Sequence, residues 1–380
     1  MFDTDLYHRL AAEKGNLCCS PYSIASALAM VASGAGGRTK EELTRTLGAP
    51  DPAATYGALG QELARRSQPT PFQLRTLNYM EGATPDVFGC HLTVANALWH
   101  QKGYALAPAF VQALRTKQGA QVGEADFQGA PALAAKAVNA WVAAATRDKI
   151  REVLTERQID PMTRVILANA IYFKARWETE FSEYGTQPAP FRLADGKRVD
   201  VPTMQSLGSR ATSRDGGLQA LLLPYSGAAL AMLVLLPDAG TLERAEQELD
   251  GARIERLLGS MKTAMTEVAL PKFKVESSFA LGSPLQAIGL GSAFGPAADF
   301  TGVSSEPGFA ISEVLHKTFI DVNEKGTEAA AVTMPMMAGS APPKKTVEFK
   351  VDRPFLFLIR DLPTRTTLFM GRVVDPRGSG

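Results

Sequence analysis

The chain is poor in the residue types that staple, chelate or carry unbalanced charge. It has 3 cysteines in 380 residues, and two of them, Cys18 and Cys19, are neighbours. An odd count cannot pair completely and a bond between adjacent residues is strained, so a disulfide framework is excluded and reduced thiols are expected. The 4 histidines are His8, His91, His100 and His316. Cys90-His91 is the one Cys/His neighbour pair, and no second pair completes a zinc site. No metal and no other cofactor is expected. Neither sign of charge dominates: 40 basic residues against 39 acidic ones leave a net +1, with no block of five or more like charges. An electrostatic nucleic-acid footprint is therefore not expected.

Catalytic signatures are missing too. No serine sits in G-x-S-x-G or S-x-x-K, and neither H-E-x-x-H nor G-x-x-x-x-G-K-[ST] occurs. Gly289-Leu290-Gly291 lacks the third glycine of a dinucleotide fingerprint. The chain is not expected to be an enzyme. The start, Met1-Phe2-Asp3-Thr4-Asp5, has no basic and then apolar leader pattern. That predicts a cytoplasmic chain as the residues stand, or an extracellular one if an upstream leader has been removed. Leu218 to Pro237 is apolar enough to suggest a membrane span, but Pro224-Tyr225-Ser226-Gly227 interrupts it with a turn signal. Two buried strands, 218–223 and 229–236, are expected instead, and no membrane contact.

What is present is a core. The composition is 45% apolar and 21% charged, which suits a large globular chain. Ser20-Pro21 opens a helix, serine as cap and proline at the first position, and Ile24 to Met30 is apolar nearly all round, so this helix should be buried. Thr39-Lys40-Glu41-Glu42 reads as a capping box opening the next helix. Pro131 to Thr146 is alanine-rich and helix-forming. Strand patterns follow. Val165 to Phe173 is apolar enough to be buried on both faces, Glu267 to Val275 alternates with period two, and Phe355–Ile359 and Leu368–Val374 flank Asp361-Leu362-Pro363-Thr364. Helices early and strands late, without βαβ alternation, predict an α+β fold. No linker divides it, so residues 1–380 are expected to form a single domain.

Two adjoining segments stand apart. Met334 to Lys345, MPMMAGSAPPKK, has three prolines and no period, and predicts an exposed irregular loop. Before it run Glu324-Lys325-Gly326-Thr327-Glu328-Ala329-Ala330-Ala331-Val332-Thr333. Glycine supplies a pivot, and Thr327, Ala329, Ala331 and Thr333 share one face at period two. The alanines suit a short helix by propensity. They equally suit a segment that must slip between existing strands, where only small uncharged side chains fit.

This segment resembles the proximal hinge of the serpins. Asn16 to Ile24, Ala95-Asn96-Ala97-Leu98-Trp99, Val138 to Val142, Asn169 through Lys174 to Trp177-Glu178, Leu223-Pro224-Tyr225, Leu270 to Phe273, Asp299 to Gly302, His316-Lys317, Arg353-Pro354-Phe355 and Phe369 to Val373 resemble further signatures of that family, in its order. The resemblance spans about residues 6 to 376. It implies one serpin domain: a large central mixed β-sheet, two further sheets, eight or nine helices, and an exposed reactive loop with its hinge at about 324–345. It implies a suicide-substrate inhibitor of serine proteases, or else a non-inhibitory carrier, chaperone or storage member. The partner implied is a target serine protease held as a covalent acyl complex, and the chain is expected to be a monomer.

Site residues carry over from the same resemblance. Gly326 and Thr327 are where insertion would begin, and Ala329, Ala331 and Thr333 would be buried by it. Trp177 marks the breach at the top of the sheet. Ser20, Ser23, Asn169 and His316 form the shutter cluster under the sliding strands. With Glu324 as first hinge residue, the seventeenth is Ser340, which puts the reactive bond at Ser340–Ala341. Cleavage after Met336 or Met337 is the alternative. Pro335 departs from the pattern, because it removes a ladder donor inside the stretch that would insert. Residues 70–90 hold Arg75 as their one basic residue, so a heparin-type site is not supported.

Overall fold

The computed structural model describes residues 1–68, 75, 90–306, 309–327 and 346–378. Glu328, Ala329, Ala330, Ala331, Val332, Thr333, Met336, Met337, Ser340 and Ala341 lie outside the described residues. Helix α1 spans Phe2–Leu10 and strand β1 Leu17–Cys19. Helix α2, Pro21–Ala32, is buried everywhere except Ser26. Its apolar circumference has core on every side, and the Ser20 hydroxyl caps it by accepting from Ser23 N at 3.2 Å. Helix α3 is Gly37–Leu47 and α4 Pro52–Ala64. The capping box read at Thr39 is corrected. Gly36 is the N-cap, Thr39 lies inside the helix, and its hydroxyl accepts from Asp299 N at 3.0 Å. A tertiary partner has claimed the side chain that local pattern assigned to the cap.

Helices α5, Pro108–Gln118, and α6, Pro131–Ala145, flank the central sheet, and two shorter ones, α7, Leu242–Gln247, and α8, Gly251–Gly259, come later. The central sheet has six strands among the described residues: β10 (Phe273–Ala280), β11 (Glu313–Asn323), β12 (Gly326–Thr327), β4 (Val165–Arg176), β2 (His91–Gln101) and β3 (Gln121–Ala125), in that order. It is mixed. β4 runs antiparallel to β2 but parallel to β11, from Glu313 opposite Ile166 to Thr318 opposite Ile171. β4 is buried on both faces because Ile166, Ala168 and Ala170 pack under α6 with Val138 and Val142, while Leu167 turns to the core around α2.

The second sheet has nine strands among the described residues: β1, β15 (Thr366–Val373), β14 (Phe355–Asp361), β8 (Leu230–Pro237), β7 (Leu218–Pro224), β6 (Arg198–Asp215), β9 (Lys262–Pro271) and β13 (Val347–Lys350), with β5 (Gln187–Arg192) on β6. The two further sheets expected run into each other here, because β6 pairs with β5 and β9 along its length and with β7 at its end. The β7–β8 hairpin takes the place of the considered membrane span, and no helix among the described residues is long and apolar enough to cross a membrane. The alternating run Glu267–Val275 is not one strand. Pro271 ends β9, Lys272 N turns to Pro202 O at 2.9 Å, and the chain re-enters as β10 of the central sheet.

Candidate functional site

The site is the seam between β4 and β11. In its lower half the two strands pair directly over six residues each. Higher up, the chain turns back after Asn323 and lays Gly326 and Thr327 between them as β12, with Val322 opposite Thr327 on one side and Ala175 opposite Thr327 on the other. The first residues of the expected hinge are therefore already a strand of the sheet, not a loose end above it. Only glycine fits at 326. Its φ is +147°, and a methyl carbon added there would lie 2.0 Å from Ala175 O.

Around this wedge the side chains converge. Thr327 is fully buried, its hydroxyl 2.7 Å from the Tyr225 hydroxyl. Trp177 stacks on Tyr225 with ring centroids 4.6 Å apart and planes 10° from parallel. The indole N–H donates to Asn323 O at 3.0 Å, and the Trp177 backbone N–H donates to Lys325 O at 2.9 Å. Glu324 is buried. Its carboxylate accepts from the Thr186 hydroxyl at 2.7 Å and pairs with Lys272 Nζ at 3.0 Å. Burial alone would raise its pKa, but its own backbone N–H, Thr186 and Lys272 together hold it below the usual carboxylate range. Lys325 reaches Glu180 and Glu183 at 3.5 and 3.4 Å.

A second cluster sits beneath the lower seam. His316 Nε2 accepts from Ser20 N at 2.9 Å, which places the ring proton on Nδ1, 2.6 Å from Asn169 Oδ1. The Asn169 amide lies 2.9 Å from Ser23 O, 2.6 Å from Ser23 Oγ and 2.6 Å from Asn96 Oδ1. Asn96 in turn donates to Ser26 Oγ at 3.0 Å. Burial depresses the His316 pKa to about 3, and protonating Nε2 would also break its bond to Ser20. The ring is a neutral, oriented hydrogen-bond bridge.

Ser20, Ser23, Asn169 and His316 thus meet at one point, and Trp177, Glu324, Gly326 and Thr327 meet at another. Sequence reasoning left out Asn96, Tyr225, Thr186 and Lys272. Asn96 was within reach, since it stands in Ala95-Asn96-Ala97 as a polar residue in an apolar strand, and such a residue needs a buried partner. Tyr225 was not, because its partner Thr327 is 102 residues away.

The family model described as serpin (serine protease inhibitor) matches residues 1–376. An uncharacterised serpin-like protein of Thermococcus kodakarensis is 38% identical over 99% of this chain and 84% of its own. Leukocyte elastase inhibitor A of Rattus norvegicus is 35% identical over 99% of this chain and 98% of its own. Among solved structures, thyroxine-binding globulin in complex with thyroxine superposes with a TM-score of 0.82 at 27% identity, over 99% of this chain and 97% of that one.

Proposed function

The chain belongs to the serpin family, and from that premise we propose that it is a suicide-substrate inhibitor of serine proteases of the elastase, subtilisin or chymotrypsin type. The protease serine attacks the carbonyl carbon of Ser340, or of Met336 or Met337, and the new amine leaves with Ala341 or its counterpart, giving an acyl-enzyme. The freed segment then extends β12 downward between β4 and β11 and carries the acylated protease with it before water can attack the ester. The observation that carries this reading is the wedge: Gly326 and Thr327 already occupy the top of the seam, and six paired residues on each strand below them remain to be parted.

The energetics support it. About ten newly paired residues at ~0.5–1.5 kcal/mol net per hydrogen bond give ~5–15 kcal/mol, which equals the stability of an ordinary domain. The uncleaved fold is then a kinetic trap. In this reading Trp177 is the post beside which the strands part first, and Ser20, Ser23, Asn169 and His316 are the bridges that must exchange as they separate. The test is to mix the intact chain with an elastase and a subtilisin and to look for a complex that survives boiling in detergent. Cleavage near residue 340 should also raise the melting temperature. A broad panel giving clean cleavage and no such band would sink inhibition. It would favour the second reading, a non-inhibitory carrier, chaperone or storage serpin, for which Pro335 in the inserting stretch is the supporting feature.

A further inference from the structure

Beside Trp177 lies a cavity of about 250 Å³ lined by Trp177, Arg210, Ala211, Leu222, Pro224 and Thr263, among others. Arg210 is the unusual member. It stands on the inward face of β6 and is only 8% exposed. Buried guanidinium groups normally face a carboxylate. Among the described residues, this one makes a single hydrogen bond, from one terminal nitrogen to Ser209 O at 3.1 Å, and no ion pair. Burial lowers its pKa below the usual guanidinium range, with no carboxylate acting against the shift. Glu178 also lines the cavity, but it is exposed and its carboxylate accepts from Gly227 N at 3.1 Å.

The strand makes room for the charge. Gly208, two residues before Arg210, has no side chain, and a methyl carbon there would lie 2.9 Å from a guanidinium nitrogen. The next residue on that face, Ser206, has its hydroxyl buried without a partner among the described residues. Leaving a guanidinium in such a place is expensive unless an anion arrives to meet it.

We propose that this cavity is a binding site for a small monocarboxylate with an apolar body, the carboxylate accepting from Arg210 and the body lying against Trp177, Leu222 and Pro224. Three features set the class. The planar fork of arginine matches a carboxylate. Glu178 at the cavity wall opposes a second negative charge. The volume is below that of ordinary drug-sized sites, so the ligand has one or two rings and no more. This inference does not rest on protease inhibition and survives if that reading fails.

The test is isothermal titration of the intact chain with 1-naphthoate and with 1-naphthalenemethanol, its neutral analogue. The acid should give saturable heat, and the alcohol should bind at least tenfold more weakly. Arg210→Gln should weaken the acid at least tenfold while leaving the alcohol unchanged. Ala211→Leu, which keeps the charge and fills part of the cavity, should weaken both. Absence of saturable heat with the acid up to its solubility limit, equal affinity for the two ligands, or undiminished binding of the acid by either folded variant would overturn the proposal.

Discussion

The upper and lower halves of the β4–β11 seam do the same task by different means. Below, two strands share a backbone ladder, and a buried cluster of neutral polar groups ties it to the helix beneath. Above, the strands do not touch. A two-residue wedge, a stacked Trp177–Tyr225 pair and a carboxylate–ammonium pair hold the gap. The lower half is closed by contacts that satisfy one another, so parting it exposes several donors and acceptors at once. The upper half is already open by one strand and is kept so by side chains of the hinge. On the proposed mechanism, insertion would have a direction built into it: it would start where β4 and β11 share no direct ladder and meet resistance where the cluster is complete.

The change expected to upset this contrast most is Thr327→Arg. It puts an unpaired charge where a fully buried hydroxyl meets Tyr225, at a penalty of several kcal/mol. The covalent complex should disappear in favour of cleaved product on a denaturing gel, and an undiminished complex would refute the wedge as the start of insertion. Next comes His316→Ala at the lower end. It strands Ser20 N–H and Asn169 Oδ1, at about 1–3 kcal/mol for each unsatisfied buried group. The urea midpoint should fall accordingly, and an unchanged midpoint would show that the cluster does not brace the seam.

A pH series sharpens the same point. The folded state keeps His316 neutral down to about 3, whereas an unfolded chain binds that proton near the ordinary histidine value. The stability this ring contributes is complete above about 6.5 and declines by about 1.4 kcal/mol per unit as pH falls below it. Unfolding free energies measured from pH 7 to 5 should show this slope, and His316→Gln should remove that share of it. An identical slope in the variant would assign the effect elsewhere. The smallest effect is expected from Lys272→Ala. Lys272 is 40% exposed, and Glu324 keeps Thr186 as a partner, so the loss should stay under about 1 kcal/mol. It should lower the melting temperature only modestly, and high salt should abolish the difference between variant and parent.

Local pattern suffices wherever local physics decides. The Ser20 cap, the apolar circumference of α2, the alanine-rich α6 and the turn at Pro224–Gly227 were all legible in order along the chain. Residues whose partner lies far along the chain were not. Thr39 looked like a cap because its neighbours fit, yet Asp299 captured it. Lys272 looked like mid-strand because alternation continues across it, yet it is the joint at which the chain leaves β9 of one sheet and enters β10 of the other. The wedge itself was legible as residues but not as an element, since two residues carry no periodicity. Its small side chains and its glycine pointed to where it goes, without showing that it is already there.

The joint between β1 and α2 lies directly under the seam. β1 is fastened to the β10–β11 side, with Cys18 N donating to Ser277 Oγ at 3.0 Å and the Thr318 hydroxyl donating to Cys18 O at 2.7 Å. α2 is fastened to the β4–β2 side through Ser23 and Ser26. Admitting one more strand widens that gap by about 4.8 Å. The chain cannot stretch to follow, so any such widening strains the articulation at Ser20, whose hydroxyl caps α2 on one side and whose amide donates to His316 of β11 on the other.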